Sequence, residues 1–192
     1  VSHLTPDDRQ QVLNALKRNT NGRPGWDLPP EWGAVYRADT GRMRCAAFPV
    51  PWRVWDYAGH PNNVLASYRD FMAKPRTAQQ RAQAQKIRDA VPGVMVGMYL
   101  TYEGWAPPEH KTRAMYEMDP AQRPAFKDLP DRVETRFAGA VDLDSALYLV
   151  LQPRPTMRLE GAVDDLTPGV TVTGAQSELL YALLHLFLKQ PA

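Results

Sequence analysis

Hydrophobic residues recur along this chain with two periods: a helical one near both ends and in the middle of the first half, and an alternating one through most of the second half. Thr5 caps the first predicted helix, with Pro6 at its first position and Asp7 and Asp8 at the positive end of its dipole. Val12, Leu13 and Leu16 form its apolar stripe, and it is predicted to end near Asn19. Residues 19–30 are rich in Asn, Gly and Pro and read as a loop. Ala34 to Ala38 and Arg42 to Phe48 are then expected to pair as a hairpin across Asp39-Thr40-Gly41, with Pro49 and Pro51 limiting further pairing. Asn62 or Asn63 suits the cap of a second helix, whose stripe is Val64, Leu65, Tyr68, Phe71 and Met72 and which Pro75 stops. Thr77 starts a third, Ala78 to Val91, with a narrow Ala82, Ile87 and Val91 face, and the rest of it is expected to meet solvent before Pro92-Gly93 breaks it.

From Val94 to Leu100 both alternating faces are apolar, as in a central strand covered on both sides. Val133 to Asp142, Ala146 to Gln152 and Thr156 to Val163 follow as antiparallel neighbours, joined by the Asp142-Leu143-Asp144-Ser145 turn and the Pro153-Arg154-Pro155 corner. In the last of these strands the polar residues fall mainly on one face, which places it near a sheet edge. Thr173 and Gln176 stand at capping-box spacing before a final helix that is apolar nearly all round from Leu179 to Leu188, His185 excepted. Such a helix must be covered, either by the sheet of its own subunit or by a second copy or partner. The pattern predicts an α+β fold with a mostly antiparallel sheet, a meander in its second half, and helices at the N-terminus, centre and C-terminus. One domain over 1–192 is expected, with a helical, Trp- and Pro-rich part over 1–92 and a sheet plus C-terminal helix over 93–192.

Composition narrows the function classes. A formal charge of +2 across 192 residues gives no general electrostatic reason to bind nucleic acid or an anionic membrane, so such binding needs a local patch. Cys45 is the only cysteine, which excludes an internal disulfide and a multi-thiolate zinc cluster and points to a reducing, cytoplasmic setting. The first residues lack the basic and apolar regions of a signal peptide, and the apolar run from Leu179 to Leu188 is too short to cross a bilayer, so no membrane partner is expected. The leading Val suits a GTG start read literally, and the abundance of Arg, Ala and Pro suits a GC-rich bacterium or its phage.

Candidate chemistry concentrates in Leu100-Thr101-Tyr102-Glu103-Gly104-Trp105 and Pro130-Asp131-Arg132-Val133-Glu134-Thr135-Arg136, two strand-like runs on either side of a polar, Pro-rich connection. Strand alternation puts Glu103 and Trp105 on one face, and Arg132, Glu134 and Arg136 likewise, so pairing the runs would gather two carboxylates and two guanidinium groups. Read as catalytic, Glu103 and Glu134 would ligate Mg2+ or Mn2+, and Arg136, with Arg132, would stabilise developing negative charge in phosphodiester cleavage. Read as structural, the same residues form cross-strand ion pairs on a solvent face, each worth ~0.2–1 kcal/mol, with Trp105 anchoring the strand end.

Two resemblances attach to these residues. Glu134-x-Arg136 resembles the Glu-x-Lys end of PD-(D/E)xK nucleases, with Arg in place of Lys. Glu103-Gly104-Trp105 followed by Pro130-Asp131-Arg132-Val133-Glu134 is similar to a pattern in a group of small uncharacterised proteins from bacteria and their phages, a likeness over about the middle quarter of the chain that implies no particular activity.

A second candidate surface is the aromatic segment 26–57, where Trp26, Trp32, Trp52 and Trp55 stand with Tyr36, Phe48 and Tyr57 among Arg37, Arg42, Arg44 and Arg53. Trp and Arg anchor protein interfaces and also stack on unpaired bases, while Pro- and aromatic-rich segments equally seal core edges. The binding set drawn from this surface is Trp32, Trp52, Arg53 and Trp55, with Trp105. The four histidines, His3, His60, His110 and His185, have no zinc-ligand spacing, and the chain contains no Gly-x-Ser-x-Gly elbow, phosphate-loop glycine pattern, internal repeat or heptad run. The leading expectation is a non-enzymatic interaction protein that binds a protein partner or a second copy of itself and needs no cofactor, with nucleic acid a less favoured ligand. The alternative is a metal-dependent nuclease or phosphodiesterase.

Overall fold

The computed structural model of the chain describes residues 3–74, 77–108, 111, 118, 119, 122, 124–164 and 175–188. Helix α1, Pro6–Asn21, begins with a reciprocal capping box: the Thr5 hydroxyl accepts from the Asp8 N–H, and the Asp8 carboxylate accepts from the Thr5 N–H. A hairpin of β1, Glu31–Arg37, and β2, Met43–Ala47, follows, with Gly41 at φ +77° in its turn. Next come α2, Trp52–Ala58; α3, Pro61–Ala73; and α4, Ala78–Asp89. Strands β3, Val94–Ala106; β4, Val133–Asp142; β5, Leu147–Pro153; and β6, Glu160–Asp164, precede α5, Ala175–Leu188.

All pairings are antiparallel, in the order β2-β1-β3-β4-β5-β6. The α+β fold and the meander from β3 to β6 are as the alternation predicts. The first 92 residues contribute more than helices and loops, because β1 pairs with β3 and so carries the N-terminal hairpin into the same sheet. Each sheet face carries its own apolar cluster. Val12, Leu13 and Leu16 of α1 cover Val35, Tyr99, Ala138, Tyr148 and Val150, while α3 and α5 cover Trp32, Met98, Leu100 and Val141 on the other face. Strand β3 is therefore buried on both sides from Met95 through Thr101, as expected of a central strand.

Several boundaries differ from the sequence pattern for physical reasons. The cap of α3 is His60, whose ring nitrogen accepts from the Asn62 N–H at 3.1 Å, with Pro61 in the first turn. In α4 the buried positions are Ala84 and Ile87, and Ala82 is exposed; Ala84, Ile87 and Val91 keep the three- and four-residue spacing that one face requires. Strand β6 starts four residues later than alternation alone implies, because the Met157 N–H folds back to the Pro153 carbonyl at 2.8 Å and Met157 adopts φ +54°. Thr173, half of the expected final capping box, lies outside the described residues. Helix α5 is covered within the chain: Leu180, Leu183, Leu184 and Phe187 are buried against α3, β3 and β4. No helix among the described residues is long and apolar enough to cross a membrane.

Cys45 lies on β2 where that strand meets α1. Burial, reinforced by the nearby Glu31 carboxylate, pushes its thiol up to about 12. A thiol-specific alkylating reagent at mildly alkaline pH is accordingly expected to modify the folded chain far more slowly than the denatured chain, whose thiol ionises near pH ~8.5. Equal labelling rates would show that β2 opens readily at the sheet edge.

Candidate functional site

In the β3–β4 ladder Glu103 stands opposite Arg136 and Trp105 opposite Glu134. Alternation points all four toward the α1 side of the sheet, so the two runs do meet and their charged side chains do converge. The centre of the convergence is Arg136, whose side chain is only 2% exposed. Its Nε and Nη2 donate to Glu103 Oε1 at 3.1 and 2.8 Å, and its Nη1 donates to the Thr20 carbonyl at 3.1 Å and to Gln152 Oε1 at 3.3 Å. Nη2 also donates to the carbonyl of Gly25. Five N–H groups thus serve five contacts that tie β4 to β3, β5, the last turn of α1 and the loop beyond it.

That loop brings in residues with no periodic signal. Asp27, at φ +63°, donates its backbone N–H to Glu103 Oε2 at 2.6 Å, so both oxygens of Glu103 are engaged. The neighbouring Trp26 ring is approached by two guanidinium groups, Arg136 at 4.7 Å and Arg154 at 5.3 Å from its centroid. Arg154, from the corner after β5, donates to Glu134 Oε2 at 2.7 Å and approaches Asp27 Oδ2 at 3.7 Å. The bond to Glu134 holds the pKa of this arginine above its ordinary value. One oxygen from each of Asp27, Glu103 and Glu134 lies within 4.8 Å of the others.

The cluster differs in membership from the one alternation outlines. Glu103, Glu134 and Arg136 are in it, but Arg132 is not: its guanidinium covers Trp105 at 4.6 Å and donates to the Leu129 carbonyl at 3.1 Å. Its place beside the carboxylates is taken by Arg154, and Asp27 supplies a third carboxylate. Two arginines set among three carboxylates neutralise most of the charge. Arg136, with every N–H committed and almost no exposure, is not available to stabilise charge developing on a substrate; it is a staple between elements.

The aromatic segment divides sharply. Trp32 is 0% exposed and packs against Phe48, Tyr68 and Phe187, with ring centroids 4.7, 4.8 and 6.1 Å away. Trp55, 7% exposed, belongs to the same core. Both drop out of the expected binding set, because a side chain enclosed by its own fold offers no surface to a partner. Trp52 is 59% exposed, with Arg53 at 5.6 Å from its ring centroid; Tyr57 is 96% exposed, and Trp105 is partly exposed beneath Arg132. His110 lies outside the described residues, and His3 Nδ1 is within hydrogen-bonding distance of Asp144 Oδ1 at 2.7 Å.

Comparison with protein-family models, curated proteins and solved structures finds no match. Function must therefore be argued from the chemistry of these two surfaces.

Proposed function

We propose that this chain is a non-enzymatic interaction protein that presents helix α2 to a protein partner. The observation that carries the reading is the exposure of Trp52 and Tyr57 on a helix of seven residues that Trp55 pins to the core. So short a helix has little stability of its own, since nucleation costs more than two turns of hydrogen bonds return. Here its conformation is fixed from outside: Pro51 precedes it, Gly59 ends it in the left-handed region at φ +67°, and the Trp55 ring anchors its underside. The result is a rigid mount for two aromatic rings and Arg53, the residue types that dominate interface energetics. The candidate catalytic centre supports the same reading from the opposite side, because its buried guanidinium is wholly occupied by the fold.

The test is quantitative capture by a tagged chain, read beside light scattering for self-association. Trp52→Ala/Tyr57→Ala is expected to abolish a near-stoichiometric complex, or a homodimer, while leaving the circular dichroism spectrum and melting temperature near those of the unsubstituted chain. A complex that survives in this folded variant would remove α2 from the interface.

A second reading, metal-assisted phosphodiester cleavage, is favoured by the convergence of Asp27, Glu103 and Glu134 oxygens within 4.8 Å. In that reading Mn2+ or Mg2+ raises the melting temperature, by an amount equivalent to about 2.7 kcal/mol at a hundredfold excess over its dissociation constant, and Glu134→Gln abolishes the rise. The interaction reading expects no shift with either ion.

A further inference from the structure

Helix α2 has an inner and an outer face. Trp55 holds the inner one against the core, while Trp52, Arg53, Asp56 and Tyr57 are all exposed. At about 100° per residue these four share one sector of the helix surface, about 140° wide, whose centre lies about 130° from Trp55. Arg53 and Asp56 carry opposite charges at a spacing that lets helical neighbours pair. Among the described residues neither forms an ion pair within the chain, and the Arg53 guanidinium turns to the Trp52 ring instead, 5.6 Å from its centroid. The outer face thus holds two aromatic rings and one charge of each sign that the fold itself leaves uncovered.

The order of these residues makes the face complementary to itself. A two-fold axis perpendicular to a helix sets it antiparallel to its copy, so positions equidistant from the axis meet, and each pair occurs twice. An axis passing between Val54 and Trp55 sets Trp52 against Tyr57 of the partner subunit and Arg53 against Asp56 of the partner subunit. Each ring then meets a ring and each charge meets its opposite. A parallel arrangement instead opposes arginine to arginine and aspartate to aspartate, and is repelled. We propose that the partner of α2 is a second copy of this chain, docked antiparallel across Trp52, Arg53, Asp56 and Tyr57; this rests on the reading of α2 as a docking element. The patch is small, so the dimer belongs with weak, transient interfaces and not with obligate ones.

The test is sedimentation equilibrium at up to about 1 mM chain, on the unsubstituted protein, Arg53→Asp, Asp56→Arg and the double exchange Arg53→Asp/Asp56→Arg. Both positions are exposed, and each single reversal places the charge that its end of the helix dipole favours, so the variants are expected to melt like the unsubstituted chain. The unsubstituted chain is expected to dimerise, more weakly as salt is raised. Each single reversal sets like charges against like and should weaken self-association about tenfold or more. An equimolar mixture of the two single variants restores opposite charges at both pairs and should form a one-to-one heterodimer, and the double exchange should dimerise with itself. A chain that stays monomeric throughout, single variants that dimerise like the unsubstituted chain, or a mixture that fails to associate overturns the proposal. Such a failure is separable from failure of the docking reading, which survives if the chain captures a different protein and loses it in Trp52→Ala/Tyr57→Ala.

Discussion

Arg136→Ala is expected to lower folding stability by about 3–5 kcal/mol, the usual cost of removing one partner from a buried, hydrogen-bonded ion pair. For a chain of this length that corresponds to a drop of roughly 10 °C in melting temperature. The cost is this large because the guanidinium serves several elements at once. Its loss leaves Glu103 without its cation, frees the Thr20 and Gly25 carbonyls, and removes the Gln152 contact that links β5 to the same point. A double variant, Arg136→Met/Glu103→Leu, separates these contributions. With both charges gone the unpaired carboxylate is no longer buried, so part of the loss should return, but the two carbonyls still lack a donor and recovery should stop short of the original stability. Urea unfolding of the two variants beside the unsubstituted chain measures each quantity. An Arg136→Ala chain that melts normally would show that loop 22–30 does not depend on the staple, and would return Arg136 to the candidates for chemistry.

The sequence made one kind of information readable and concealed another. Local signals were sufficient where a single element decides its own form. Thr5 and Asp8 announce the start of α1, and the unbroken apolar alternation from Val94 to Leu100 announces a central strand. Period two also anticipated that Glu103 and Arg136 would share a face, because their two strands pair directly. The rest of the cluster came from loops. Asp27 and Gly25 sit in a segment with no periodicity, and Arg154 sits in a proline corner; nothing in their neighbours marks the 76 residues that separate Asp27 from its contact with Glu103. Arg132 failed for a related reason, since alternation fixes the face a side chain leaves from and not the neighbour it chooses, here the Trp105 ring. Helix α2 was too short for a helical period to register over the prolines around it. Clustering of tryptophans in sequence likewise carried no information on burial: Trp32 is enclosed because β1 is an interior strand, a fact set by its pairing with β3 far along the chain.

Trp32→Ala and Trp52→Ala should therefore differ in effect by several kcal/mol although both residues belong to one aromatic segment. Trp32 fills the centre of the core between the sheet and helices α3 and α5, and its removal leaves a void among Phe48, Tyr68 and Phe187 that rigid neighbours cannot close. A cost of about 3–5 kcal/mol is expected, seen as a large fall in the urea midpoint. Trp52 loses only a partly exposed ring and its contact with Arg53, so its variant should stay within about 1 kcal/mol of the unsubstituted chain. Trp55→Ala belongs with Trp32, since the ring it removes is the anchor of α2. The distinction governs how any binding measurement on this surface is read. Loss of a partner in a Trp32 or Trp55 variant reports an unfolded core or a displaced helix, whereas loss in a Trp52 variant of unchanged stability reports the contact itself. A Trp52→Ala chain as unstable as Trp32→Ala would mean that the exposed ring is part of the fold, and the case for α2 as a docking element would fall with it.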